Sequence, residues 1–351
     1  MTAIALFSLW TIGGFVDSGY LRDFNDPANQ LFRSRGTTFH VNQLDLNMAA
    51  VYVRKQSTET SPFGTELTVQ TGKDSEVFGF SATAPNLRGS RWLRHLGPTN
   101  VSYLAPVGKG VTVRGGIFSS LIGYDSLYAR DNFNYTRPWG ADFTPYLMLG
   151  VNASYPVTDE LTGTLFVVNG YWHLADANSV PSSGIQLVYK SSDHWTLKQT
   201  VLIGPHQSDT SLEFWRFLSD SIAEWKKDRV TTVFEYFIGG EKLTAPGQPR
   251  TVWMSAQLPL HYVVNPRVSV MVRPEIYYDP DGRTTGFEQR VKALTSTIEY
   301  RRANAIFRLE HRFDDSRGNG GGFFNDGGAS GLKPTQHLLI FAVILSVDSR
   351  H

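Results

Sequence analysis

The chain has 351 residues, enough for two ordinary domains or one large one, and its 41% hydrophobic and 19% charged fractions exclude a disordered tail. Lys+Arg 33 against Asp+Glu 32 leaves a net charge of +1, without the basic field of a nucleic-acid binder. Cysteine is absent, which excludes disulfide scaffolds, thiolate metal sites and cysteine nucleophiles, while 13% aromatic residues and 32 glycines favour strands and turns.

The first ten residues, MTAIALFSLW, are apolar and carry no Lys or Arg. They read either as the remnant of a secretory signal or as the start of the first strand. No run along the chain approaches the roughly 20 apolar residues of a membrane-spanning helix. Strands of about 10 residues can still cross a bilayer if the sheet closes on itself.

Downstream, connections of two lengths take turns. Long links rich in Gly, Pro, Asn and Asp fall at 21–38, 72–98, 119–141, 173–182, 205–211, 241–248, 280–288 and 317–334. Tight links with turn-forming or charged residues fall at 108–110, 158–160, 192–194, 226–228, 265–267 and 302–303. Between them the pattern has period two. Val268, Val270, Val272, Ile276 and Tyr278 share one face, and Ser269, Arg273, Glu275 and Tyr277 share the other. Leu294, Ile298 and Tyr300 then oppose Thr295, Thr297, Glu299 and Arg301, and Phe307, Leu309 and Phe313 oppose Arg308, Glu310 and Arg312. One stretch, FWRFLSDSIAEWKK, also reads as a short helix, because Arg216, Asp220 and Glu224 recur at i, i+4.

The alternation predicts a single all-β domain over 1–351: a transmembrane antiparallel up-and-down β-barrel of about 16 strands, short turns at one end and projecting loops at the other. Sharing 351 residues among 16 leaves about 22 for each strand and its connection. A soluble sandwich, jelly roll or propeller would also alternate, but needs no short-long rhythm.

Several segments resemble one family. YLAPVGKGVTVRGGIF from Tyr103, IGYDSLYARDNFNYTR from Ile122, YPVTDELTGTLFVVNGYW from Tyr155, SSDHWTLKQTVLIGP from Ser191 and LSDSIAEWKKDRVTTVFEYFIGGE from Leu218 are together similar to the outer-membrane beta-barrel porins of the OmpL-like type, porin type 2. The resemblance implies a Gram-negative outer-membrane channel that passes small hydrophilic solutes, with no catalytic residues and no cofactor. The chain departs from barrels that finish on an aromatic residue, since LLIFAVILSVDSRH trails four polar residues.

In such a channel inward side chains set width and field. Alternation nominates Asp45, Asn47, Arg114, Arg216, Asp220, Glu224, Glu235, Arg273, Glu275, Glu299, Arg301, Arg308, Glu310 and Arg312 as pore-lining, a set balanced in sign. The same charges can equally serve only to solvate the inner wall and pair across strands. The segment 119–141 sits where porins commonly fold chain inward, and its Tyr124, Asp125, Arg130, Asp131, Tyr135 and Arg137 are candidate constriction residues; the plain alternative is a surface loop. Tyr155, Tyr189, Trp195, Trp225, Tyr236, Tyr262 and Tyr300 are placed to form interfacial girdles.

Enzyme signatures are missing: there is no His-Glu-x-x-His and no Gly-x-Ser-x-Gly. The glycines of GNGGGFFNDGGASG from Gly318 read as an outer loop, and Asp279, Asp281 and Gly282 as a turn rather than a calcium loop. Expected partners are outer-membrane lipid and small polar solutes, and an apolar outer strip is also compatible with a homo-oligomer or an envelope complex. The rival readings are a non-conducting barrel acting as scaffold and a soluble β-rich binding protein.

Overall fold

Residues that alternate between β-branched or aromatic and polar types fold into strands because each face of the pleat then meets one environment. The computed structural model of the chain describes residues 10–79, 90–171, 174, 178–191, 194–207, 212–243 and 250–349. Residues 1–9, where the signal-remnant reading falls, lie outside them, as do parts of four long links and positions 192–193 of one tight link. The first strand begins at Trp10.

In chain order the strands are β1 (Trp10–Asp23), β2 (Leu44–Lys55), β3 (Phe63–Thr71), β4 (Thr99–Ala105), β5 (Val111–Ser119), β6 (Leu147–Pro156), β7 (Leu161–Val168), β8 (Ser182–Lys190), β9 (Trp195–Pro205) and β10 (Trp215–Lys227). They continue with β11 (Val230–Lys242), β12 (Arg250–Gln257), β13 (Leu260–Asn265), β14 (Val268–Asp279), β15 (Gln289–Arg302), β16 (Ala305–Arg317), β17 (Phe323–Asn325), β18 (Gly328–Lys333) and β19 (Thr335–Asp348). Consecutive strands pair antiparallel, and β1 joins both β2 and β19, so the sheet has no free edge.

β12 and β13 are one strand broken at Leu258 and Pro259, since both pair with β11 and with β14. Proline supplies no amide to the ladder, yet its carbonyl still accepts from Val233 N at 3.0 Å. β17 and β18 form a separate hairpin inside the last long loop, where the sequence suggests only glycine-rich chain. The closed barrel therefore has 16 strands. Arg216, Asp220 and Glu224 lie on β10, so the helical alternative fails: cross-strand pairing on both sides overrides their i, i+4 spacing.

The tight turns meet their geometric needs locally. Asp228 and Ala303 open two-residue links with φ of 52° and 49°. The Asn265 side chain accepts from Arg267 N and Val268 N, and Thr158 Oγ1 accepts from Glu160 N and Leu161 N. The residues read as a calcium-like opening form a turn, in which Asp279 accepts from the amides of Arg283, Thr284 and Thr285.

Faces sort by polarity. On β16, Phe307 and Leu309 are 43% and 42% exposed on the outside, whereas Arg308, Glu310 and Arg312 are at most 2% exposed on the inside. Leu309 stands in register with Ile298 and Phe341, so the apolar surface runs continuously across three strands. The outer face of the sheet is thus oily, and ionised groups are kept to the inner face, the arrangement a bilayer demands. Tyr189, Trp195, Tyr262 and Tyr300 are exposed beside the short turns, while Tyr236 sits midway along β11 and so stands away from that border.

Candidate functional site

Between β5 and β6 the chain does not cross the outside of the barrel. Residues 120–146 enter it, and they meet the inner wall around much of its circumference. Carboxylates of the wall hold the backbone amides of this segment. Glu310 accepts from Tyr135 N at 2.6 Å, from Thr136 N at 2.9 Å and from Thr136 Oγ1 at 2.5 Å. Glu275 accepts from Trp139 N at 2.5 Å, Glu235 from Tyr124 N at 2.9 Å and Asp220 from Gly123 N at 2.8 Å. A loop amide taken from water needs an acceptor, and an anionic one makes the stronger bond.

Arginines of the wall do the complementary work on carbonyls. Arg308 donates to the carbonyls of Ala129, Asn132 and Asn134 while its other edge meets Glu299, and Arg312 donates to Arg137 O at 3.1 Å and to Asp314. Arg273 Nη1 reaches Asn134 Oδ1 at 3.1 Å, and Arg216 pairs with Glu241 at 2.9 Å.

The nominated wall residues therefore fall into two groups. Asn47, Arg216, Asp220, Glu235, Arg273, Glu275, Glu299, Arg308, Glu310 and Arg312 are buried on the inner face. Asp45, Arg114 and Glu224 point inward with partial exposure, and Arg301 stands exposed near a short turn, bonded to Glu299. Asn47 occupies a bulge: the β1–β2 register shifts between Asp17 and Ser18, so that both Asn47 and Met48 are buried.

All six residues nominated on the segment make wall or loop contacts. Tyr124 donates from its hydroxyl to Glu224, Asp125 accepts from Gln257, and Arg130 reaches Ser346 and Tyr52 while pairing with Asp131. Tyr135 donates to Asp17 and accepts from Asn47, and its ring comes so near Gly19 that any side chain there would overlap it. Arg137 pairs with Asp74 at 2.8 Å and bonds to Leu127 O. Burial raises the carboxyl pKa of Asp125, against the opposing pull of Arg273 and the Gln257 hydrogen bond. Burial likewise raises that of Asp131 against Arg130, and that of Asp74 against Arg137.

Several residues escape the alternation argument. Asp142 locks the loop 24–43 onto the segment by accepting from Gly36 N and Thr37 Oγ1 and pairing with Arg35 at 2.9 Å, and Asp74 accepts from Thr38 N. Asp17, Glu241 and Asp314 are further buried carboxylates of the inner wall. The most informative omission is β19. Leu338, Ile340, Ala342 and Ile344 face inward, at most 3% exposed, in one apolar cluster with Tyr135 and Trp139. The continuous run LLIFAVIL is the available signal, because a strand oily on both faces needs a second apolar partner besides lipid.

The chain matches the family described as "Putative beta-barrel porin-2, OmpL-like" over residues 10–347. The chain belongs to this family. On that membership it is an outer-membrane porin of the Gram-negative envelope, and its outward oily face and closed sheet fit a bilayer. Solved barrels of similar fold include the outer membrane channel DcaP of Acinetobacter baumannii, at 9% identity and a TM-score of 0.64 over 96% of this chain and 97% of that one. OmpT of Vibrio cholerae follows at 8% identity and 0.60 over 96% and 97%, and the anion-selective porin from Comamonas acidovorans at 9% and 0.60 over 96% and 99%. Comparison with curated proteins gave no match. At these identities the solved structures fix the porin's fold and nothing finer.

Proposed function

We propose that this porin is a passive, weakly selective diffusion channel for small polar solutes, and that its conduit runs beside the inserted segment along β2–β9. One observation carries the reading. On β10–β16 the inward charges are mostly buried beneath the segment, whereas Arg54 and Glu66 keep 38% and 27% side-chain exposure, and Arg114 and Lys198 point inward partly exposed. Arg54 and Glu66 stand 3.9 Å apart, so this wall carries both signs, with further cations at Arg114 on β5 and Lys198 on β9. Width and that field would filter solutes; the passage uses no cofactor and no covalent chemistry. The segment 120–146 would set the width, and its nominated residues would act as a constriction by occupying lumen rather than by gripping solute.

In planar bilayers the purified porin is expected to open in steps, and Arg114→Glu with Lys198→Glu to move the reversal potential in a salt gradient toward cation preference. Steps with an unmoved reversal potential would place the conduit elsewhere. A barrel that inserts and never conducts would favour the scaffold reading, for which the tightly bonded segment is the supporting observation.

A further inference from the structure

The lumen is not the only recess. A cavity of about 850 Å³ opens among the long loops, walled by parts of 31–39 and 284–287 together with Phe324 and Leu332 of the last loop. Its lining joins two chemistries that seldom share a wall: five phenylalanines, including Phe287 and Phe324, and three arginines, with Glu76 the only carboxylate among the lining residues. Glu76 lies 3.9 Å from Arg94 and also from Lys73, and Arg35 is matched by Asp142 from behind. Arg33 is different.

The Arg33 guanidinium lies 3.9 Å from the centroid of Phe287 and 5.7 Å from that of Phe324, and its Nη1 donates to the carbonyls of Gly320 and Gly322 at 2.8 Å each. Among the described residues it has no carboxylate partner, and its Nε and Nη2 make no hydrogen bond. Arg33 as a residue is only 8% exposed in this largely apolar wall, its charge is met by carbonyls and ring faces but by no carboxylate, and the Nε–Nη2 edge of its fork is free for an anion. The chain around it is costly to hold: Gln30, Ser34 and Thr38 are non-glycine residues with φ of 54°, 59° and 45°.

We propose that this cavity is a binding site for small aromatic carboxylates, with the carboxylate on the open edge of Arg33 and the ring among the phenylalanines. Aliphatic acids would satisfy only the arginine, and aromatic amines only the rings while facing like charge. Ligands of this class would reach the site from the loop side and, given the channel reading above, would reduce the current through the pore.

Binding is measured without conduction, by calorimetric titration of the full-length detergent-solubilised porin with benzoate, acetate and benzylammonium. Benzoate is expected to bind at least tenfold more tightly than either comparator, with a tenfold or greater loss in Arg33→Gln and a weaker loss in Phe287→Ala. Heat-modifiable migration checks that each variant remains a folded barrel. Equal binding of acetate and benzoate, no benzoate binding to the folded porin, or undiminished binding to Arg33→Gln would overturn the proposal. Benzoate binding by a barrel that does not conduct would keep this site and refute the channel reading instead.

Discussion

Replacing Glu310 by alanine is expected to free the centre of the segment 120–146 and to raise single-channel conductance roughly two- to threefold, since a 16-stranded barrel is wide enough for an aqueous channel once emptied. Glu310 is fully buried and satisfies the amides of Tyr135 and Thr136, the Thr136 hydroxyl and the Thr297 hydroxyl at once. Alanine supplies no acceptor, so two buried loop amides lose their partner at a cost of about 3–5 kcal/mol. The barrel ladder on either side of β16 is untouched, because its bonds are backbone bonds to β15 and β19. The variant should therefore still migrate as a heat-modifiable barrel while conducting more. Unchanged conductance in a folded variant would mean that the segment does not limit the pore.

Leu309→Arg, one position away on the opposite face, is expected to act on stability instead. Leu309 lies between Ile298 and Phe341 in register, within the outward apolar band. A guanidinium there must enter hydrocarbon or drag water with it, at about 2–4 kcal/mol if it sits near the bilayer midplane. Urea unfolding of the barrel in phosphatidylcholine vesicles reads the loss as a lower midpoint. A variant as stable as the parent would place that face in water or in a wet interface.

These two neighbours show what the sequence could and could not disclose. The sidedness of β14, β15 and β16 was legible because one face meets lipid and the other polar atoms, which imposes period two. Loop ends were legible because tight turns tolerate few residue types while projecting loops tolerate many. The eight long links mark one end of the barrel and the tight ones the other, and only Pro259 disguises a single strand as two.

Contacts between the inserted segment and the wall were not legible. Glu310 and Tyr135 are 175 residues apart, and no local pattern encodes that bond. Alternation finds inward residues but cannot tell a side chain facing water from one covered by chain, which is why Arg114 and Arg312 looked alike. The inward apolar face of β19 broke the rule for the same reason: Ile340 and Ile344 are seats for the segment, so the strand lost its periodicity where it gained a second partner. Arg33 left no trace either, because its isolation from carboxylates is a property of folded loops.

The absence of native cysteine makes the central claim, hydrocarbon outside and polar lumen inside, directly testable by single-cysteine mapping in the outer membrane. Arg114→Cys and Lys198→Cys are expected to react with a small membrane-impermeant thiol reagent, and Val113→Cys and Leu309→Cys to stay unmodified until the membrane is dissolved. Rapid labelling at 113 and 309 with protection at 114 and 198 would contradict it.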